Sequence, residues 1–216
     1  MNDVVLYSYW RSSCSWRVRI ALAYKNIPYT YRAVHLIKDG GAQHVATYRQ
    51  LNPAAQVPTL QWNAAGVTRT LSQSLAILEW LEEHAPTPSL LPADPWLRAK
   101  ARQYAEAINA GIQPIQNLAV GQYVRDQLGG DMPAWFRYWT ARGLAALEPM
   151  VAATAGTFCV GDQPSLADCC LVPQLYNARR FQLDLAAYPT LARIDAACAP
   201  LPAFQAAHPD RQPDAE

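Results

Sequence analysis

Charge is scarce in this sequence, and net charge almost absent. Of 216 residues only 16% are charged, and 18 basic side chains face 17 acidic ones for a formal net charge of +1. A nucleic-acid-binding surface needs a clustered positive excess, so that class of partner is not expected. Cysteine is sparse too. The five, at 14, 159, 169, 170 and 198, are odd in number and contain no C-x-x-C pair. That spacing fits neither a disulfide framework nor a zinc site, and no metal is expected. The N-terminus "MNDVVLYSYW" lacks a basic segment leading into an apolar one, so it does not read as a signal peptide. The one uncharged stretch of membrane length, Ala107 to Val124, is interrupted throughout by Asn, Gln, Gly and Pro. It reads as a buried or site-lining helix rather than a span. Hydrophobic residues still make up 51% of the chain, enough for a sizeable core. The expectation is a soluble cytoplasmic protein with no membrane or nucleic-acid partner.

The first third alternates element types. Val4 to Tyr9 is β-branched and aromatic and reads as a buried strand. Ser15 to Lys25 repeats apolar residues at helical spacing, with Val18, Ala21 and Leu22 on one face and Arg17 and Lys25 elsewhere. "YTYRAVHL" is a second strand, and Ala42 to Leu51 a weak helix. "VPTLQW" and "VTRTL", joined by Asn63-Ala64-Ala65-Gly66, form a hairpin, and Gln73 to His84 an amphipathic helix around Leu75, Leu78 and Leu81. The order β-α-β-α-β-β-α implies a small α/β domain with a mixed four-stranded sheet, the order of a thioredoxin-like fold.

"APTPSLLPADP" places four prolines between Ala85 and Pro95 and is the natural linker. Beyond it strand signals vanish. Helical periodicity covers roughly 94–124, 131–153 and 165–180, and a shorter helix with a tail ends the chain. The domains expected are 1–85, α/β; 86–93, linker; and 94–216, all-helical. Ser165 to Asp168 reads S-x-x-D ahead of an apolar run, a capping box with a structural role.

Three stretches carry chemistry. In "SYWRSSCSWRVRIAL" a strand gives way to a helix through Arg11, Ser12, Ser13, Cys14 and Ser15. The carboxyl end of such a strand is where open α/β sheets bind ligands, and the helix N-terminus adds unpaired N–H groups and a partial positive charge. The cluster suits an anion: either Cys14 is itself a nucleophile, or the serines hold an external thiolate. In "NPAAQVPTL", Pro58 just ahead of a strand suggests a cis turn that would free the Val57 backbone for a peptide-like ligand. In "SQSLAILEWLEE", Gln73 and Ser74 open a helix able to hold a carboxylate.

Taken together these stretches resemble the zeta class of the glutathione transferase superfamily. "SSCSWRVRIAL" is similar to that class's signature almost letter for letter, and "LNPAAQVPTL", "QSLAILEWLEE", "GIQPIQNLAV", "SLADCCLVPQ" and "HPDRQPD" follow in the same order over nearly the whole chain. The resemblance implies a thioredoxin-like domain followed by an all-α domain, a homodimer, and glutathione as coenzyme. It implies an isomerase of tyrosine and phenylalanine catabolism that converts maleylacetoacetate to fumarylacetoacetate by reversible thiolate addition. On that resemblance Ser12, Ser13, Cys14 and Ser15 would surround the glutathione sulfur, with Ser12 bonded to the thiolate and Cys14 auxiliary. Trp16 and Arg17 would continue that signature on the cofactor side. Gln43 and Val57, with cis Pro58, would pair with the glutathione backbone, and Gln73 and Ser74 would take the γ-glutamyl carboxylate. Gln113 and Asn117 would border the open side of the site. Arg180 would face the small dicarboxylate substrate, with Arg11 as second anion partner.

Relatives acting on maleylpyruvate are expected to carry histidine and arginine after the I-x-P-I of the helical domain. This chain has Gln113, Gln116, Asn117 and Leu118 there, which favours maleylacetoacetate. Conjugation or dehalogenation of small α-halo acids is open to the same thiolate. A thiol–disulfide oxidoreductase using Cys14 meets an obstacle: Arg11 and Arg17 occupy the places of a resolving cysteine. A glutathione-binding module without turnover is the remaining alternative.

Overall fold

Alternation along the opening strand sets the first layer. In this computed structural model, which describes residues 2–216, β1 (Asn2–Ser8) turns Val4, Leu6 and Ser8 inward and leaves the residues between them less covered. α1 (Ser13–Tyr24), β2 (Thr30–Ala33), α2 (Ala46–Leu51), β3 (Thr59–Ala64), β4 (Val67–Ser72) and α3 (Ser74–His84) follow. The strands form one sheet in the order β2-β1-β3-β4, with β2 parallel to β1 and both β3 and β4 antiparallel to their neighbours. This is the mixed four-stranded sheet of a thioredoxin-like domain. Ala64 pairs with Val67, so Ala65 and Gly66 make a two-residue turn at φ +50° and +76°, the type I′ pattern that suits hairpin twist. Leu6, Val18, Ile20, Leu22, Leu60, Ile77, Leu78 and Leu81 are fully buried. Each such side chain contributes about 1.5–3 kcal/mol relative to exposure.

Two features differ from the sequence reading. The weak helix over 42–51 is interrupted: a 3-10 turn at Ala42–His44 and α2 are separated by Val45, whose backbone is extended. And Arg17, placed off the apolar face of α1 by its spacing, is not exposed there: Ser13 and Ser15–Leu22 are all buried, Arg17 and Arg19 included. Their acceptors come from distant segments that periodicity cannot see. Arg19 donates to Ser8 Oγ, Tyr9 O, Trp10 O and Ala207 O at 2.8–3.2 Å. Burial lowers its pKa to about 10, still charged at neutral pH. Lys25, also buried, pairs with Glu82 at 2.6 Å and donates to Ala85 O and Pro88 O, fastening the proline-rich segment.

The rest of the chain is helical: α4 (Pro95–Gly111), α5 (Leu118–Asp126), α6 (Met132–Ala152), α7 (Leu166–Arg180), α8 (Pro189–Cys198) and α9 (Pro202–Ala207). Asp94 caps α4, accepting from Leu97 N at 2.8 Å, with Pro95 in the first helical position where no N–H is needed. The helical segment expected over 94–124 is two helices, because Pro114 lies in the break and Asn117 caps α5 through Ala119 N. Buried Gln116 donates to Gln174 Oε1 at 2.7 Å and accepts from Thr140 Oγ1 at 2.8 Å, tying that break to α6 and α7.

By internal contacts the chain forms two units, one of residues up to Ser89 with Leu201–Glu216, the other Leu90–Pro200. The closing segment is held in the first unit by α9 against α1, by Arg19 on Ala207 O, and by Asp214, which accepts from Trp10 N and the Tyr31 hydroxyl. Among the described residues no helix is long and apolar enough to cross a membrane.

Candidate active site

Register brings three sequence-distant stretches together at one end of the sheet. Thr59 of β3 pairs with Tyr7 of β1 on one side and with Ser72 of β4 on the other. One step further, Val57–Pro58 therefore lies between the end of β1, which leads to Arg11–Ser15, and Gln73–Ser74. The Val57–Pro58 peptide is cis.

Ser12 is the N-cap of α1: its backbone is extended and its Oγ accepts from Ser15 N at 3.2 Å. As acceptor in that bond the hydroxyl keeps its own proton for another partner. Ser13 and Ser15 are buried, Cys14 is a half-buried free thiol, and Arg11 lies with its guanidinium 5.0 Å from the centre of the Trp10 ring. Trp16 packs edge-on against His208. Fully buried Arg17 donates from Nη1 to Ser74 Oγ at 3.1 Å, so it acts on the start of α3 from beneath. Gln73 precedes α3 with φ +72°, a left-handed backbone that a non-glycine residue adopts only under strain and that aims the first N–H groups of α3.

Gln43 is 8% exposed and donates from Nε2 to Leu36 O at 3.1 Å. Leu36 and Ala42 pack on a small core of Tyr9, Trp10, Val34, Tyr48 and Val57, which links Gln43 to the same end of the sheet. Gln43 Oε1, Ser15 Oγ and Trp10 Nε1 are buried polar atoms without a hydrogen-bond partner among the described residues. Leaving each unmatched costs about 1–3 kcal/mol. Their concentration here, beside two helix N-termini and free serine hydroxyls, fits a peptide-like anionic cofactor such as glutathione, rich in amide donors and carboxylate acceptors.

Gly41 escaped the sequence reading. It sits at φ +94°, and a Cβ there would meet the Gln43 amide at 2.5 Å. Gly41→Ala is expected to displace Gln43 and raise the KM for glutathione about fivefold, the loss of roughly one hydrogen bond at about 1 kcal/mol. Initial rates at varied glutathione concentration measure it.

Three expected site residues lie in the helical unit. Gln113 is half-buried after α4, its N–H bonded to Ile108 O; Asn117 is spent on capping α5; exposed Arg180 ends α7 and donates to Asn177 Oδ1 at 3.3 Å. Of the remaining cysteines, 159, 169, 170 and 198 are all buried. Burial, and then the neighbouring Asp168, pushes the Cys159 thiol far up, and burial does the same to Cys198, which keeps both protonated and inert.

Comparison with known proteins agrees with this geometry. The family model described as "Glutathione S-transferase, N-terminal domain" matches residues 11–84, and "Glutathione S-transferase, C-terminal domain" matches 140–199. The probable maleylacetoacetate isomerase 2 of Drosophila melanogaster is 51% identical over 210 residues, 97% of this chain and 89% of the relative. The maleylpyruvate isomerase of a Ralstonia species is 45% identical over 215 residues, 97% and 98% of the two chains. The maleylacetoacetate isomerase of Anaeromyxobacter dehalogenans 2CP-1, solved with glutathione in its active site, superposes with a TM-score of 0.92 at 56% identity, covering 99% of this chain and 98% of that one. The chain belongs to the glutathione S-transferase family, in its zeta class.

Proposed function

We propose that the protein is a glutathione-dependent cis–trans isomerase that converts maleylacetoacetate to fumarylacetoacetate. The observation that carries this is the register just described, which gathers a serine-rich helix N-terminus, the cis Val57–Pro58 peptide and Gln73–Ser74 around one end of the sheet. Bound glutathione supplies a thiolate whose reversible addition makes the cis double bond single for as long as rotation requires.

Each side chain then has a task. Ser12, whose Oγ accepts from Ser15 N, directs its hydroxyl proton to the sulfur, and the α1 N-terminus favours the ionised form. Ser13, Cys14 and Ser15 surround that position. Gln43 and the Val57 backbone hold the peptide part, while Gln73 and Ser74, with Arg17 beneath, take the γ-glutamyl carboxylate. Trp16 holds α1 in place from its buried side. Arg11 and Arg180 are the planar forks for the substrate's two carboxylates and for the charge that develops on its carbonyl oxygen. Gln113 and Asn117 border the substrate.

The test is a glutathione-dependent loss of ultraviolet absorbance with maleylacetone, run beside maleylpyruvate. Faster turnover of maleylacetone supports the reading; preference for maleylpyruvate, as the name of the Ralstonia relative suggests for that protein, keeps the chemistry and changes the substrate. No turnover of either sinks the isomerase. Cys14→Ala is expected to keep most of the activity, and its complete loss would make Cys14 the nucleophile. The family resemblance further supports a cytoplasmic homodimer, which light scattering of the purified protein would check.

A further inference from the structure

The peptide that leads into the Ser12 turn is gripped at both edges, and one grip comes from far along the chain. Tyr9 O accepts from Ser12 N at 3.0 Å, which closes the turn, and from Arg19 Nη1 at 3.2 Å. On the opposite edge of the same peptide, Trp10 N donates to Asp214 Oδ2 at 3.1 Å. Trp10 O, in the next peptide, accepts from Arg19 Nη2 at 2.8 Å. Tyr9 and Trp10 are 4% and 6% exposed, so water has little access to these groups. Asp214 is itself held in place. Its Oδ1 accepts from the Tyr31 hydroxyl at 2.6 Å; burial, and then this bond, raises the Tyr31 pKa, so the phenol stays a donor. After α9, Gln212 Nε2 donates to Ala206 O and His208 O at 3.1 and 2.8 Å, and Ala215 N donates to Gln212 O at 3.1 Å. That turn presents the Asp214 side chain. All of these residues belong to the first unit.

A buried N–H that loses its acceptor is costly, and its peptide turns to find another. Rotation of the Tyr9–Trp10 peptide would carry Tyr9 O away from Ser12 N and shift the Ser12 hydroxyl. We infer that Asp214 is a positioning residue: by holding the Trp10 N–H it fixes the Ser12 turn and aims the Ser12 hydroxyl at the glutathione sulfur. It acts through Ser12 rather than on the reacting atoms. The inference rests on the isomerase reading through one element of it, Ser12 as donor to the thiolate.

Asp214→Ala is expected to lower kcat with maleylacetone about tenfold and to leave the KM for glutathione within about twofold, measured well below the Tm of each variant. In an ultraviolet titration of bound glutathione, the thiol is expected to ionise at higher pH than in the wild type. A residue that acts on stability alone would not move that readout. Asp214→Asn keeps an oxygen for Trp10 N and offers an amide N–H to the Tyr31 oxygen, so it is expected to restore most of both losses. Glu216→Gln weakens only the surface pairing of the same segment with His35 and Lys38, and is expected to match the wild type. A lower Tm with unchanged kcat and unchanged thiol ionisation overturns the inference and leaves Asp214 a structural clasp. Equal losses in Asp214→Ala and Asp214→Asn also overturn it, because they assign the effect to charge. So does an equal loss in Glu216→Gln, which assigns it to the segment as a whole. If the wild type turns over neither maleylacetone nor maleylpyruvate, the isomerase reading falls, and the thiol titration by itself still decides the role of Asp214.

Discussion

Ser12→Ala is expected to slow glutathione-dependent isomerisation by about 10- to 100-fold, the worth of one hydrogen bond to a charged group at about 1.5–3 kcal/mol. Ser12 does two things, and they can be separated. Its Oγ accepts from Ser15 N and so caps α1, a role worth about 1 kcal/mol that alanine also removes. Its proton is the donor to the sulfur. Ser12→Asp keeps the cap, since aspartate caps helices as well as serine does, but sets a carboxylate where the thiolate belongs. The aspartate variant is therefore expected to melt at or above the wild-type temperature while losing more activity than the alanine variant. Ultraviolet titration of bound glutathione adds an independent reading: its thiol should ionise at higher pH in both variants. Equal activity in wild type and Ser12→Ala would remove Ser12 from the chemistry and leave it only the cap.

Asp168→Asn is expected to destabilise the protein by about 3 kcal/mol or more, lowering Tm by about 6–12 °C for a chain of this size. The Asp168 carboxylate is fully buried at the start of α7. Its Oδ2 accepts from Ser165 N and Ser165 Oγ, both at 2.7 Å, and its Oδ1 from Cys159 N at 2.9 Å. All three partners are donors, so an amide in that place must turn an N–H toward another N–H. The pH dependence has a definite sign. Burial raises the carboxyl above its usual value of 3.8, outweighing the bonds from Cys159 and Ser165. The folded chain therefore holds this proton to higher pH than the unfolded chain does. Its linkage contribution is full below the unfolded value and is lost as pH rises through the folded one. Asparagine does not titrate, so the wild-type advantage in Tm should widen as the solution is acidified through that window. A parallel pair of Tm profiles would show that Asp168 is not the titrating group.

What the sequence revealed was local. The β-branched, aromatic run that forms β1, the hairpin turn ending at Gly66 and the Ser165–Asp168 box are each written in a few adjacent residues, and each appears in the structure. What stayed hidden depends on partners far along the chain. Arg17 reads as a position off the apolar face of a helix and Arg19 carries no mark of its own, yet Ser74, the Tyr9–Trp10 carbonyls and Ala207 supply acceptors that allow their burial. The break between α4 and α5 falls inside the helical stretch expected over 94–124, where Pro114 and the Asn117 cap divide it in two. The candidate site was legible through its serines and Val57–Pro58, since unusual residue types mark it. Gly41 gave no such signal, because it acts by lacking a side chain.

The bonds from Arg19 to Ala207 and from Trp10 to Asp214 have a consequence for biogenesis. On the ribosome, β1 and α1 emerge before the helical unit, but the segment that completes their packing emerges only after that unit has been translated. Until then the Arg19 guanidinium lacks one of its acceptors, and the face of α1 that α9 covers stays open to solvent. The first unit cannot mature before the helical unit has been made, and its native contacts join residues separated by 188 and 204 positions, a topology that slows folding. The loop that bears Ser12, adjoining the Trp10 N–H that Asp214 accepts from, thus waits for a segment translated after the helical unit.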